Sequence, residues 1–265
     1  MKLLTKQLRN ILFIEFKRAI CAKKFIFTIL LGCIIYRYMS IGFVREEAAT
    51  TFLFVTQFTD MEIYLCILAV LPYGVAFVQD WETKHYRNII MRSNKWIYVI
   101  TKSLVNALIG GLVVLITSGF YILYLCLTTN QIIPPEDVVS IELGQLFLHE
   151  YINEQMICKF FALYLFILFM YGALMASIGL FLSAVVPSVY TVYVGPFAMA
   201  YLSNRLSVMG ILPKSMDLRR VYSGTTIEIV EGEGFNQVIL VLLLYILIVN
   251  ILFIWKVNRR LTSHA

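Results

Sequence analysis

The sequence predicts an all-α integral membrane protein: six transmembrane helices preceded by an N-terminal interfacial amphipathic helix, with both termini cytoplasmic. Three observations predict it. The 265 residues are 60% hydrophobic and 14% charged, with a mean hydropathy of +0.81, whereas a soluble domain is about half apolar and about a quarter charged. The apolar residues gather into long runs, several of them near the roughly 20 residues that cross a hydrocarbon core of about 30 Å. Lysine and arginine collect in a few of the segments between those runs, and basic residues near helix ends stay on the cytoplasmic side.

The first 24 residues form the interfacial element. Leu4, Leu8, Ile11, Leu12 and Ala19 fall near one helical face and Lys2, Lys6, Arg9, Asn10 and Lys17 near the other, the pattern of a helix lying among headgroups. Glu15 falls inside the apolar stripe, and a plain basic leader is the alternative. The leader has basic residues before an apolar run, as a secretory signal does, but no small-residue cleavage site follows, so it reads as an uncleaved signal anchor. Lys23 and Lys24 mark the inner boundary.

Six spans follow, over residues 25–44, 61–78, 103–127, 160–182, 189–202 and 238–255. Pro72 is expected to bend the second, and Pro196 interrupts the short fifth. Residues 79–102 form a cytoplasmic loop, residues 128–159 and 203–237 form outer loops, and the whole chain is a single transmembrane domain. In the second outer loop a semi-apolar run from Leu206 to Leu212, closed by Pro213 and Lys214 and followed by Arg219 and Arg220, is placed to dip into the outer leaflet if protein buries it. Orientation rests on charge: with the N-terminus inside, 7 basic residues lie in the leader, 5 in the 79–102 loop and 3 after Trp255, 15 of the 22. Only Glu15, Asp80 and Glu82 among the 16 acids share that side, whereas Glu136, Asp137, Glu142, Glu150 and Glu154 sit together in an outer loop.

Several chemistries are absent from the chain. No glycine is followed by lysine, so the phosphate-binding loop of nucleotide hydrolases is missing. His149-Glu150-Tyr151-Ile152-Asn153 lacks the second histidine of a zinc-protease motif, and no histidine lies in a span. The five cysteines are odd in number and mostly fall in or beside apolar runs, which suits small core residues better than a disulfide framework or a metal site. No catalytic, cofactor or metal residue is therefore expected.

Charged residues at or in the spans are the informative ones. Arg37 lies within the first span, where an arginine costs about 2.5–3.5 kcal/mol on insertion scales; Asp60 and Glu62, at the outer start of the second span, are candidate partners. Arg37 either lines a substrate route or reaches the outer headgroups. No acid lies clearly at mid-membrane, which counts against coupling to protons or sodium. Gly172, Ala176, Gly179 and Ser183 recur at helical spacing, and Gly110 and Gly111 do the same in the third span; such residues let backbones approach within the chain or across a dimer. The loop from Asp80 to Lys95 carries Lys84, Arg87 and Arg92 beside Asp80 and Glu82, with Trp81, Tyr86, Ile89, Ile90 and Met91, and reads as a short surface helix. It suits docking a protein and equally suits anionic headgroups.

Two segments together resemble the membrane subunit of a type-2 ATP-binding-cassette exporter. Glu15-Phe16-Lys17-Arg18 followed by Lys23-Lys24-Phe25 is similar to that family's interfacial helix running into its first span. Pro72 through Phe77, Asp80, Arg92 and Lys102 resemble its proline-bearing second span, acidic residue, cytoplasmic helix and lysine opening the third span. The resemblance implies a permease in the cell membrane of a bacterium, paired with a second permease copy and with separate cytoplasmic ATPase subunits that hold ATP and Mg. It implies no cofactor in this chain, no nucleic acid, and cargo such as a peptide, antibiotic or other amphiphilic molecule. By resemblance the coupling helix runs from Trp81 to Met91, with Asp80, Trp81, Glu82, Lys84, Tyr86, Arg87 and Ile90 as ATPase-coupling residues, Ala184 to Ser188 as a second contact, and the segment between the last two spans as the outer gate. Beside it stand an ATP-independent secondary transporter or channel, and a membrane scaffold or immunity protein acting through the outer loops.

Overall fold

Backbone in hydrocarbon must satisfy its own N–H and C=O groups, and this chain does so with helices. The computed structural model describes residues 2–42, 47–59, 61–84, 86, 95–129, 131–132, 156–213, 216–218 and 234–263. Among them the helices are α1 (Lys2–Ile20), α2 (Lys23–Met39), α3 (Ala48–Phe58), α4 (Met61–Val70), α5 (Ala76–Glu82), α6 (Lys95–Thr128), α7 (Ile157–Val185), α8 (Val189–Val208) and α9 (Gly234–Ser263). No strand occurs among the described residues beyond an isolated parallel bridge between Glu47 and Gln131.

Three helices are long and apolar enough to cross a membrane, those containing Lys95–Thr128, Ile157–Val185 and Phe235–Leu261. Two bent pairs bring the candidates to five: Arg9–Ile20 with Lys23–Met39, bent by 52°, and Ala48–Thr56 with Met61–Val70, bent by 78°. Such a set is consistent with a multi-pass membrane protein. Helix α8 is not among the candidates, and its mix of Pro196, Ser203, Asn204 and Arg205 with apolar residues shows why.

α7 is the axis of the bundle. It packs on α6, α9, α8, α4 and α5, and 72% of its most apolar stretch is buried, against 56% for α6 and 17% for α9. The α6–α7 crossing is close because side chains are missing where the helices meet. A Cβ on Gly172 would stand 2.8 Å from the Val114 side chain and 2.9 Å from the Gly110 carbonyl, and one on Gly110 would collide with Ala176 and stand 2.8 Å from the Ala69 carbonyl. Gly111 faces Phe169, and Gly179 lies against Val70 and Val192. The small-residue stripe thus serves packing within this chain.

The second apolar segment departs from one gently bent helix. α4 stops at Val70, residues 71–75 form a turn, and α5 resumes at Ala76. Proline has no N–H and its ring clashes with the preceding turn, so Pro72 breaks the helix here. The chain before it holds an element that hydropathy did not reveal: α3, whose Ala48, Ala49, Phe52, Leu53 and Val55 are buried. Its Thr50 and Thr51 hydroxyls donate to Glu47, and its first amides reach the carbonyls of Gln131 and Ile132.

Candidate functional site

At the end of the bundle where α1, α5 and α6 meet, five polar side chains close on one another. Tyr98 and Lys102 lie one turn apart on α6 and share a face. The turn after α4 supplies Tyr73, α5 supplies Asp80, and α1 supplies Glu15. The Lys102 side chain is 3% exposed, and an ammonium tolerates such burial only when its charge is matched. Its three N–H donors meet three oxygens: Asp80 Oδ2 at 3.0 Å, Glu15 Oε2 at 3.3 Å and the Tyr73 hydroxyl at 3.0 Å. Tyr73 donates its own proton to Glu15 Oε2 at 2.6 Å, and Tyr98 donates to Asp80 Oδ2 at 2.9 Å. Lys102 Nζ also lies 5.1 Å from the Tyr73 ring centroid, within cation–π range.

Glu15 of α1 lies under opposing influences. Burial of its carboxylate is offset by the Lys102 charge, the hydroxyl of Tyr73, the Lys102 hydrogen bond and the Arg18 charge. Both carboxylates of the cluster serve one lysine, so the site joins α1, α5 and α6 through a single cation. Glu15 sits in the apolar stripe of α1 for this reason: that face, with Leu12, Phe16, Ala19 and Ile20, packs on the bundle. A cleft of about 250 Å³ opens beside the cluster, between the α1–α2 elbow and the α4–α5 turn, lined in part by Arg18, Lys23, Lys24 and Gln79.

A second assembly adjoins it. Trp81 stacks on Phe77 at 6.0 Å and on Tyr86 at 4.8 Å between ring centroids. The Arg260 guanidinium of α9 lies 5.7 Å from the Trp81 centroid and donates to the Val185 carbonyl, the last turn of α7, at 2.8 Å. Phe77 meets Phe253 edge-on, and Ala184, Leu180, Tyr98 and Val257 complete the cluster. Four helices, α5, α6, α7 and α9, therefore converge where α5 ends.

The sequence-predicted residues divide accordingly. Asp80 and Tyr86 are buried, Trp81 is half-buried, and Glu82 and Lys84 are exposed, with Lys84 at a left-handed φ of 55°. Arg87 and Ile90, with the rest of the expected coupling helix through Met91, lie outside the described residues. In the second expected contact Ala184 is buried and Val185 and Val186 are exposed. Arg37 is exposed at the end of α2, 5.5 Å from the Tyr124 ring centroid and 3.4 Å from the Ser40 hydroxyl. Glu62 is half-buried at the start of α4, and Asp60 lies outside the described residues.

Residue-by-residue reasoning missed Tyr73 and Tyr98, which look like interfacial aromatics, and the partnership of Glu15 with Lys102. The one signal was a carboxylate on an apolar helix face. A buried Asp217, which accepts from Asn204 Nδ2 at 3.0 Å, was likewise not singled out. Among the described residues no three His, Cys, Asp or Glu side chains gather as metal ligands. Compared with known proteins, the chain matches no family, no curated sequence and no solved structure.

Proposed function

We propose that this chain is the permease subunit of an ATP-binding-cassette exporter, forming the transmembrane pathway and driven by a separate ATPase that holds ATP and Mg. The observation that carries the proposal is the Glu15–Lys102–Asp80 cluster. Asp80 begins the 79–102 loop and Lys102 ends it, so their 3.0 Å contact closes the loop at its base and ties it to α1. A partner pressing on that loop moves α5, α6 and the interfacial helix together, which is the mechanical link a coupled permease needs. Glu82 and Lys84 are exposed to such a partner, while Trp81 and Tyr86 hold the loop against the helix ends. In this proposal the chain has six spans, α8 included, with both termini cytoplasmic, works beside a second permease copy in a bacterial cell membrane, and exports a peptide, antibiotic or other amphiphilic molecule.

The test is purification of the tagged chain from its native membrane in mild detergent, with ATP hydrolysis measured on whatever accompanies it. A stoichiometric ATPase is expected, and Glu82→Lys with Lys84→Glu is expected to release it while leaving membrane insertion intact. A chain that emerges alone, with transport independent of nucleotide, would overturn the proposal. A second reading, a proton-coupled transporter without ATP, draws on the same buried carboxylates, because two acids sharing one lysine form a site able to take up a proton. Flux in nucleotide-free liposomes that follows a pH gradient would favour it.

A further inference from the structure

The cleft at the α1–α2 elbow has a charge pattern that the proposed coupling role leaves unused. Its charged lining consists of Arg18, Lys23, Lys24 and Lys102 against Glu15 and Asp80. Lys102 engages both carboxylates, and Arg18 is left to interact with Glu15 at a distance. Lys23 and Lys24 are exposed, and among the described residues neither has a carboxylate partner. The cleft therefore carries surplus positive charge at its mouth.

Its position defines the kind of anion that reaches it. α1 leaves Phe13 and Ile14 exposed, at 65% and 63%, beside exposed Arg9 and Lys17, the surface of a helix seated among headgroups. α2 then turns away by 52° with Ile26, Phe27, Leu30 and Ile34 exposed along its length, a surface suited to acyl chains. The elbow lies where these two surfaces meet. The positive end of α2, capped by Ala22 without a side-chain acceptor, adds to the field there.

We infer that this cleft binds a phosphate group, that of an anionic phospholipid headgroup or free phosphate, with Lys23 and Lys24 as the principal ligands and Arg18 behind them. Occupancy by a lipid would pin the elbow to the leaflet, and basic pockets between helix ends hold anionic headgroups in this way. The inference does not depend on what the chain transports.

Native mass spectrometry of the full chain in detergent, titrated with phosphatidylglycerol, phosphatidylcholine and inorganic phosphate, tests it. The wild type is expected to retain phosphatidylglycerol in preference to phosphatidylcholine. Lys23→Gln with Lys24→Gln is expected to weaken that binding about thirtyfold, the loss of two cations at a headgroup, and Lys23→Arg with Lys24→Arg to restore it. Arg9→Gln with Lys17→Gln removes two exposed charges of α1 outside the cleft and is expected to leave it unchanged. Displacement of the lipid by inorganic phosphate at comparable affinity would assign the cleft to free phosphate; retention against it assigns the lipid. No preference for phosphatidylglycerol together with no binding of inorganic phosphate, or an equal loss in the α1 control, would overturn the inference.

Discussion

Lys102 shows how a single side chain organises its surroundings. A buried ammonium is stable here because each of its three donors has an oxygen, and two of those oxygens carry charge. Removing the cation alone leaves two carboxylates facing each other out of water, which costs about 3–5 kcal/mol for a broken buried pair. Lys102→Met is therefore expected to lower the denaturation midpoint in detergent sharply. The combination Glu15→Gln, Asp80→Asn and Lys102→Met is expected to recover most of the loss, because neutral groups of similar shape need no counter-charge. A triple variant as unstable as Lys102→Met would show that the penalty arises from packing. At this scale the sequence was partly legible. Asp80 and Lys102 were named through the family resemblance, and Glu15 stood out as an anomaly on an apolar face. Their meeting was not legible, since it depends on how α1 folds back on α6.

Among the helices, α6 and α7 cross closely. Gly110 is enclosed by Ala176 and the carbonyls of Ala69 and Gly172, whereas a Cβ on Gly119 of the same helix would meet nothing within 4 Å. Gly110→Val is expected to destabilise the protein by about 1–3 kcal/mol, the usual cost of overpacking, or more where backbone must move. Gly119→Ala is expected to stabilise it by up to about 1 kcal/mol through reduced backbone entropy. Paired thermal-denaturation curves decide the matter, and equal effects at the two positions would contradict the crossing. Element type was legible wherever apolar runs were long: α6, α7 and α9 enclose the spans expected from hydropathy. Two features were not. α3 is short, and its three threonines dilute its hydropathy although its surroundings bury it. Pro72 was expected to bend a helix and instead separates two, because nothing in local sequence measures how far the chain must turn to bring Tyr73 beneath Lys102.

For the whole molecule, the most hydrophobic of the long helices is the least buried. α9 contains the most apolar stretch and is the least buried, with mean hydropathy 3.1 and 17% burial, whereas α7 has 2.3 and 72%. A helix with most of its surface turned away from the bundle suits hydrocarbon by being apolar all round, whereas the central one accommodates Gly172, Ser177 and Gly179 among its neighbours. The proposed topology places Cys21, at the elbow, and Cys158, at the start of α7, on opposite sides of the membrane, and both are exposed. A membrane-impermeant maleimide added to intact cells is expected to label Cys158 and to spare Cys21 until the cells are opened. The reverse pattern would invert the topology, and labelling of both would refute the six-span arrangement. The amino-acid sequence by itself determined that this chain is helical and apolar enough for a membrane and where its long helices lie, because partition into hydrocarbon sums over a segment whatever its neighbours. It also singled out the charged residues that needed an explanation. Only the tertiary structure decided which apolar faces meet protein and which are left for lipid, that the glycine stripe packs within one chain, and that Glu15, Asp80 and Lys102 share one site. Lipid and protein interior are both apolar, so hydrophobicity cannot tell them apart, and the contact of three charges from three helices exists only once the helices are packed.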